Sequence, residues 1–119
     1  MINCPICDAH KNETQIVYQN ENWVLRKADQ NLEGYLYMEH RNHVDSWFGL
    51  TLSEFENYGR ALHKATEILK EYNPEKMYIV AIAERVPHLH VHLIPRYENQ
   101  DKGLDHIAKA TGPGFPKPM

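Results

Sequence analysis

Three histidines alternate with apolar residues in the segment His88-Leu89-His90-Val91-His92. Successive side chains of a β-strand point to opposite faces, so the three imidazoles are predicted to share one face and to point out of the core. Leu89 and Val91 are predicted to pack into the core from the other face. A solvated face that carries histidine by chance does not explain such strict alternation.

Two kinds of chemistry fit this row of imidazoles. One is a metal site, but a strand advances about 3.3 Å per residue, so the Cα atoms of His88 and His92 lie about 13 Å apart and only two neighbours could bind one ion. The other is nucleophilic catalysis, because a neutral imidazole with a pKa of about 6.5 is a nucleophile at pH 7. The flanking histidines would then donate hydrogen bonds to the oxygens of the electrophile.

The second pattern with chemical potential is Cys4-Pro5-Ile6-Cys7, which supplies half of a tetrahedral zinc site. A redox pair of this spacing is expected between a strand and a helix, yet only three residues precede Cys4. A redox pair and two incidental thiols remain alternatives to zinc. The histidines that could complete a zinc site are His10, His40, His43 and His88.

Length and composition predict one cytoplasmic globular domain. The chain has 119 residues, 42% hydrophobic and 24% charged, which excludes extensive disorder. A net charge of −3 argues against a broad nucleic-acid-binding face. No apolar run approaches the roughly 20 residues that span a membrane, and the N-terminus does not resemble a signal peptide.

The elements that must position these residues are mostly strands. A long helix is predicted from a capping box at Thr51 and Glu54 to a stop at Asn73-Pro74. Its apolar stripe comprises Leu52, Phe55, Tyr58, Leu62, Ala65, Ile68 and Leu69. Strands are predicted at 14–18, 23–25 and 35–38, with a buried strand at 77–82 in a hairpin with 88–94. The predicted class is therefore α+β, with an antiparallel sheet of about five strands.

Two segments flank the predicted domain. Residues 1–13 are predicted to form a zinc-knuckle segment, and the stretch 112–118 of the C-terminal tail is predicted to lack regular structure. Residues 1–13 have almost no apolar periodicity and are not expected to attach to the domain by burial, and residues 99–119 are a tail that ends in a Gly/Pro-rich stretch. The domain itself spans 14–98. His63 and His106 are predicted at the surface, and Trp23, Trp47 and Phe48 in the core or at a dimer contact.

The segment His88–Ile94 resembles the motif of the histidine triad (HIT) family, His-φ-His-φ-His-φ-φ with φ apolar, at every position. Pro95-Arg96 follows it, as in many bacterial members. Upstream, Gly34 through Val44 resembles the family's glycine-led strand that ends in a histidine and an apolar residue. The resemblance covers roughly residues 14–98.

The resemblance implies a nucleotide hydrolase or transferase that forms a sheet-sharing homodimer. His90 matches the histidine that attacks the α-phosphorus of a nucleoside phosphoramidate or a dinucleoside polyphosphate, which gives a nucleotidyl-histidine that water hydrolyses. His92 matches the residue that contacts phosphate and leaving-group oxygens. The expected partner is a purine nucleotide or dinucleotide.

A subset of the family carries an N-terminal Cys-x-x-Cys with a zinc ion. The resemblance to this subset implies a structural Zn²⁺ held by Cys4, Cys7, His43 and His88. The local spacing Cys-x-x-Cys-x-x-His makes His10 the competing ligand. A zinc on the triad that activates water is a third hypothesis, but a zinc with four protein ligands has no open position.

The chain departs from the family pattern around the substrate. Arg85 lies in Ala83-Glu84-Arg85, where many members have neutral leaving-group donors, and Lys27 replaces the residue that holds the ribose hydroxyls. Tyr35 replaces a histidine. Leu25 and Ala28 fall at base-pocket positions, so the predicted substrate-binding residues are Leu25, Lys27 and Arg85. These changes leave an alternative open, a nucleotide-binding regulatory module of the same fold with little catalysis.

Overall fold

The computed structural model describes residues 3–29 and 31–112. These form three helices and five strands around one sheet, and all neighbouring strands are antiparallel in the order β1-β2-β3-β5-β4. In chain order the elements are α1 (Pro5–Lys11), β1 (Ile16–Gln19), β2 (Trp23–Lys27), β3 (Leu36–His40), α2 (Leu52–Lys70), β4 (Lys76–Val80), β5 (His90–Arg96) and α3 (Gly103–Thr111). The predicted α+β class with five strands and one long helix is confirmed.

The long helix α2 begins and packs as its sequence predicts. The Thr51 side chain accepts a hydrogen bond from the backbone N–H of Glu54, and the Glu54 carboxylate accepts one from the backbone N–H of Thr51. Ala61, Ala65 and Leu69 are buried against the sheet. The first turn of the apolar stripe does not reach the sheet, because Leu52 is 76% exposed.

The side chains along β5 alternate between the two faces of the sheet. Leu89, Val91 and Leu93 are buried in the core with α2, as predicted, and we call this side the helix face. His90 and His92 lie on the opposite side, the histidine face.

The position predicted for His88 is wrong. The strand begins at His90 rather than His88, and His88 is fully buried instead of pointing out of the core. Its ring lies between the thiol of Cys4 and the carbonyl oxygen of His40, so these contacts, and not strand alternation, set its direction.

The hairpin of β4 and β5 is confirmed, but the prediction that β4 is buried is wrong. β4 is an edge strand, bonded on one side to β5, and Ile79 is 49% exposed. A run of apolar residues cannot by itself distinguish a buried central strand from an edge strand.

The two ends of the described chain contain helices that the sequence analysis did not predict. Cys4 and Ile6 of the α1 region are buried, so the expectation that residues 1–13 cannot attach by burial is wrong. In α3, Ile107 packs against Tyr35 on the histidine face. His106 is buried with its Nε2 atom 2.8 Å from the carbonyl oxygen of Pro95, which corrects its predicted surface position. Residues 113–119, most of the Gly/Pro-rich stretch, lie outside the described residues.

The aromatic residues differ widely in their burial. Trp23 is fully buried and stacks on Trp47 with ring centroids 5.8 Å apart. Phe48 is 99% exposed, so of its two predicted placements the core is excluded and the dimer contact stays a prediction. His63 is exposed as predicted. None of the helices in 3–29 and 31–112 has the length and hydropathy that a membrane span requires.

Candidate active site and metal centre

The register of three central strands assembles the histidine face. Glu39 of β3 lies opposite His90 of β5, and Tyr37 lies opposite His92. Arg26 of β2 in turn lies opposite Tyr37. Cross-strand partners share a face, so these five side chains project from the same side of the sheet.

His90 is held by a hydrogen bond to the main chain. Its Nδ1 atom lies 2.6 Å from the carbonyl oxygen of His88. A carbonyl oxygen can only accept, so Nδ1 carries the proton and the neutral ring keeps a lone pair on Nε2. The ring centroid of His90 lies 5.2 Å from that of His92, edge to face. This arrangement provides a nucleophilic nitrogen next to a second imidazole.

His92 is kept neutral by its surroundings. Its Nδ1 atom lies 2.7 Å from the hydroxyl oxygen of Tyr35, and its ring meets the Tyr37 ring edge to face at 5.7 Å. Burial, and then the neighbouring His90, lower the pKa of His92 to about 4. His92 is therefore uncharged at neutral pH.

A buried carboxylate lies directly beside this pair. Glu39 is 1% exposed and accepts two hydrogen bonds from Arg26, at 2.7 and 2.9 Å, and one from Nε2 of His10 at 2.8 Å. Burial opposes ionisation, but the hydrogen bonds from His10 and Arg26 outweigh it and lower the pKa of Glu39. Sequence reasoning missed this cluster, although a glutamate after the apolar run Leu36–Met38 was a signal that it needed partners.

Four side chains, His88 among them, form a candidate metal centre. Among residues 3–29 and 31–112, Cys4, Cys7, His43 and His88 are the group of metal-ligating side chains that could hold an ion, with ligand atoms within 4.8 Å of one another. The Sγ–Nδ1 distances are 3.3 Å for Cys4 and His88, 3.5 Å for Cys7 and His88, and 3.4 Å for Cys7 and His43. A tetrahedral zinc with bonds of about 2.3 Å to sulfur and about 2.0 Å to nitrogen separates such ligands by about 3.5 Å. The group is thus of the right size for zinc.

The protonation of the cluster also fits a cation. Nε2 of His88 lies 2.7 Å from the carbonyl oxygen of His40, so the proton is on Nε2 and the Nδ1 lone pair faces the thiols. Burial, followed by the hydrogen bond and charge of Cys4, raises the pKa of Cys7 to about 11. Cys7 is therefore a neutral thiol at pH 7 without a cation, and a bound cation would favour its thiolate.

The other two histidines that were candidate zinc ligands contact carboxylates instead. His10 bonds Glu39, and Nε2 of His40 lies 2.9 Å from the Glu54 carboxylate. Neither belongs to the metal cluster, and within the described part of the chain the cluster includes His88 but neither His90 nor His92. The hypothesis of an ion on the triad itself therefore has no support from the geometry.

The sequence profile described as the HIT domain matches residues 9–99. The chain belongs to the HIT family. No curated protein gave a significant match to this HIT protein.

Solved structures share the HIT fold. A HIT family member from Bacillus subtilis has 22% identity and a TM-score of 0.72, covering 82% of this chain and 76% of its own. A HIT family hydrolase from Clostridium thermocellum has 17% identity and a TM-score of 0.66, covering 86% of this chain and 97% of its own. A Zn-bound histidine triad family protein from Mycobacterium smegmatis has 14% identity and a TM-score of 0.68, covering 82% and 77%.

The predicted substrate-binding residues of this HIT protein lie in three different environments. Leu25 is fully buried in the core with α2, which does not support direct contact with a nucleotide. Lys27 is exposed and, with Ala28 and Tyr35, lines a cavity of about 340 Å³ beside α2. Arg85 is exposed in the connection between β4 and β5 that leads to His88.

Proposed function

We propose that this HIT protein is a nucleotide hydrolase that cleaves at the α-phosphate of nucleoside phosphoramidates or dinucleoside polyphosphates. The observation that supports it most is the 2.6 Å contact between Nδ1 of His90 and the carbonyl oxygen of His88. That contact leaves the Nε2 lone pair of His90 available for attack, which is what a nucleotidyl-histidine mechanism requires.

The proposed reaction has two steps at His90. In the first, Nε2 forms a bond to the α-phosphorus, and the bond to the leaving group breaks with its electron pair on the leaving group. The ring then carries a positive charge, which the hydrogen bond from Nδ1–H to the carbonyl of His88 stabilises. In the second step water attacks phosphorus, the P–N bond breaks with its electron pair returning to Nε2, and a proton passes to solvent as the nucleoside monophosphate leaves.

His92 and Arg85 are the proposed groups around the transferred and leaving phosphates. His92 is neutral, and its ring contacts that of His90, so it is suited to donate a hydrogen bond to an oxygen on phosphorus. Arg85 is an exposed guanidinium two residues before Pro87, where it would meet an anionic leaving group. Lys27 lies opposite Leu36, which lies opposite Leu93 of the helix face, so its register does not support the expected contact with a nucleotide at His90.

We also propose that the cluster of Cys4, Cys7, His43 and His88 holds a structural zinc ion. The ligand distances near 3.5 Å and the tautomer of His88 support it. A bound zinc would join α1 to the start of β5 and supply folding energy, and it would have no part in the chemistry at phosphorus. It would act on the active site by fixing His88, whose carbonyl orients His90.

A homodimer that continues the sheet across two copies completes the proposal. Strand β4 is at the edge of the described sheet and exposes Ile79. An exposed apolar edge strand pairs readily with another strand, so a second copy of β4 is a suitable partner.

The function is tested by incubating the protein with adenosine and guanosine phosphoramidates and dinucleoside polyphosphates and measuring monophosphate release by chromatography. Turnover by the wild-type protein and its loss in His90→Ala, with adenosine monophosphate binding retained in calorimetry, is the expected result. His63→Ala is the matched control, since His63 is exposed on α2. Binding without turnover of any of these substrates would favour the regulatory alternative.

A further inference from the structure

The hydroxyl of Tyr35 is aimed at one nitrogen of His92. Its oxygen lies 2.7 Å from Nδ1, and Tyr35 is only 2% exposed. The tyrosine is fixed on both sides: Ile107 of α3 packs against it, and Gly34 precedes it with a φ of +85°. A Cβ at Gly34 would lie 2.9 Å from Cδ2 of Leu69, so the chain enters β3 here in a conformation and a space that favour glycine.

The direction of this hydrogen bond follows from burial. A tyrosine hydroxyl can donate and accept, while a neutral imidazole nitrogen does one or the other. If Nδ1 of His92 donated, the proton of the Tyr35 hydroxyl would be buried and would lose this acceptor, which is costly. The hydroxyl therefore donates to Nδ1, and the proton of His92 is on Nε2.

We propose that Tyr35 is a positioning residue that holds His92 in the Nε2–H tautomer, so that His92 donates a hydrogen bond to the substrate but does not donate a proton. To become a proton donor, His92 would have to bind a second proton at Nδ1, where the Tyr35 hydroxyl already points. The proposal rests on the hydrolase function proposed above for its consequence in catalysis, but not for its structural statement.

Burial, and then the neighbouring His90, lower the pKa of His92 by more than the Glu39 carboxylate raises it. His90 lies beside His92 on β5, and the ring of Tyr37 meets it edge to face from β3. Glu39 is a nearby carboxylate on this face, and it forms an ion pair with Arg26 and a hydrogen bond with His10. Burial raises the pKa of Tyr35 and keeps its hydroxyl protonated as a donor. These contacts are consistent with the low pKa of His92.

The consequence is a preference among leaving groups. When a phosphoanhydride is cleaved, the P–O bond breaks and the electron pair stays on a phosphate oxygen, which is stable without a proton. When a phosphoramidate is cleaved, the P–N bond breaks and the amine nitrogen must bind a proton as it leaves. A His92 that cannot supply that proton favours dinucleoside polyphosphates over phosphoramidates.

The structural statement is tested by ¹⁵N NMR on the full chain without substrate, following the two ring nitrogens of His92 in the wild-type protein, in Tyr35→Phe and in Tyr58→Phe. Tyr58 packs on Trp23 at the helix face, so its variant removes a phenol hydroxyl away from His92. The wild-type protein and Tyr58→Phe are expected to show a protonated Nε2 and a bare Nδ1, and Tyr35→Phe a mixture of tautomers. A protonated Nδ1 in the wild-type protein, or no change in Tyr35→Phe, would overturn the proposal.

The catalytic consequence is tested by the ratio of kcat/KM for a dinucleoside polyphosphate to that for a phosphoramidate. In Tyr35→Phe this ratio is expected to fall about fivefold, the effect of one neutral hydrogen bond, through kcat rather than KM. If the wild-type protein turns over both substrates and Tyr35→Phe shows the same ratio, the proposed effect of Tyr35 on leaving-group preference is wrong. If the wild-type protein turns over neither substrate, the hydrolase function fails, and the NMR result still decides the role of Tyr35.

Discussion

His90 and His88 are joined by a hydrogen bond of 2.6 Å from the ring nitrogen Nδ1 of one to the backbone carbonyl of the other. The side chain of His88 points away from this contact, into the cluster with Cys4 and Cys7. A single residue therefore orients the proposed nucleophile through its main chain and belongs to the metal cluster through its ring. Metal binding and catalysis are expected to be coupled at this position.

The first prediction concerns metal removal. Cys7→Ser is expected to release zinc and to lower the free energy of unfolding by more than about 2 kcal/mol, because the ion closes the loop between α1 and β5. The value of kcat should fall as well, since the carbonyl of His88 is no longer held in place. Elemental analysis, urea denaturation and turnover measure the three effects.

His10→Ala is the control for this prediction. His10 bonds Glu39 rather than the cluster, so its variant should retain one equivalent of zinc. Loss of zinc in His10→Ala together with full retention in His88→Ala would show that the ligand set is wrong.

The second prediction concerns the buried carboxylate of Glu39. Glu39→Gln leaves the largely buried guanidinium of Arg26 without its charged partner, so it should lower the free energy of unfolding by about 3 kcal/mol. The double variant Glu39→Leu with Arg26→Met removes both charges and should recover much of that loss. Urea denaturation of the single and double variants measures the coupling.

An exposed ion pair provides the comparison. His63 and Glu67 are 4.0 Å apart on the surface of α2, so Glu67→Gln should cost less than about 0.5 kcal/mol. If Glu39→Gln is as mild as this control, the buried cluster does not stabilise the fold.

The sequence pattern predicted those features of the fold that depend on neighbouring residues in the chain. The inward positions of Leu89, Val91 and Leu93 follow from alternation, and the start of α2 follows from the capping box at Thr51 and Glu54. The metal-ligand set came from the family resemblance, and the structure brings those four side chains together.

What the sequence did not predict depends on contacts between distant segments. The partnership of His10, Arg26 and Glu39 requires the register of β2 on β3 and the placement of α1, which no local pattern contains. The burial of His88 has the same origin, since its partners are 48 and 84 residues away in the chain. Short helices such as α3 are stabilised mainly by packing, in this case of Ile107 on the sheet.

The third prediction is a dependence of stability on pH. His92 has a pKa of about 4 in the folded chain and about 6.5 when unfolded, so the unfolded state binds more protons between these values. The contribution of His92 to the free energy of unfolding should therefore be complete above pH 6.5. It should be lost as the pH is lowered towards 4, a loss of at most about 3 kcal/mol.

The measurement is urea denaturation of the wild-type protein and of His92→Gln at several values of pH. The variant should show a flatter dependence, and effects of the metal cluster cancel in the difference because both proteins carry it. His63→Gln should behave as the wild-type protein does, since His63 is exposed. Identical slopes for the wild-type protein and His92→Gln would contradict a buried neutral His92.

The last prediction is that β4 forms the contact between two copies of the chain. Val80 of β4 lies opposite His92 in the sheet, so a partner strand on this edge would approach the proposed active site. Sedimentation at micromolar concentration should give twice the 13.9 kDa mass of one chain. Ile79→Lys places a charge on the exposed edge and should weaken association at least tenfold, because the two copies would bring like charges together.

Leu104→Lys, at an exposed position of α3, should leave the mass unchanged, and Phe48→Ser tests whether the exposed aromatic contributes instead. A single-chain mass for the wild-type protein, or dissociation by Phe48→Ser but not by Ile79→Lys, would rule out a shared sheet.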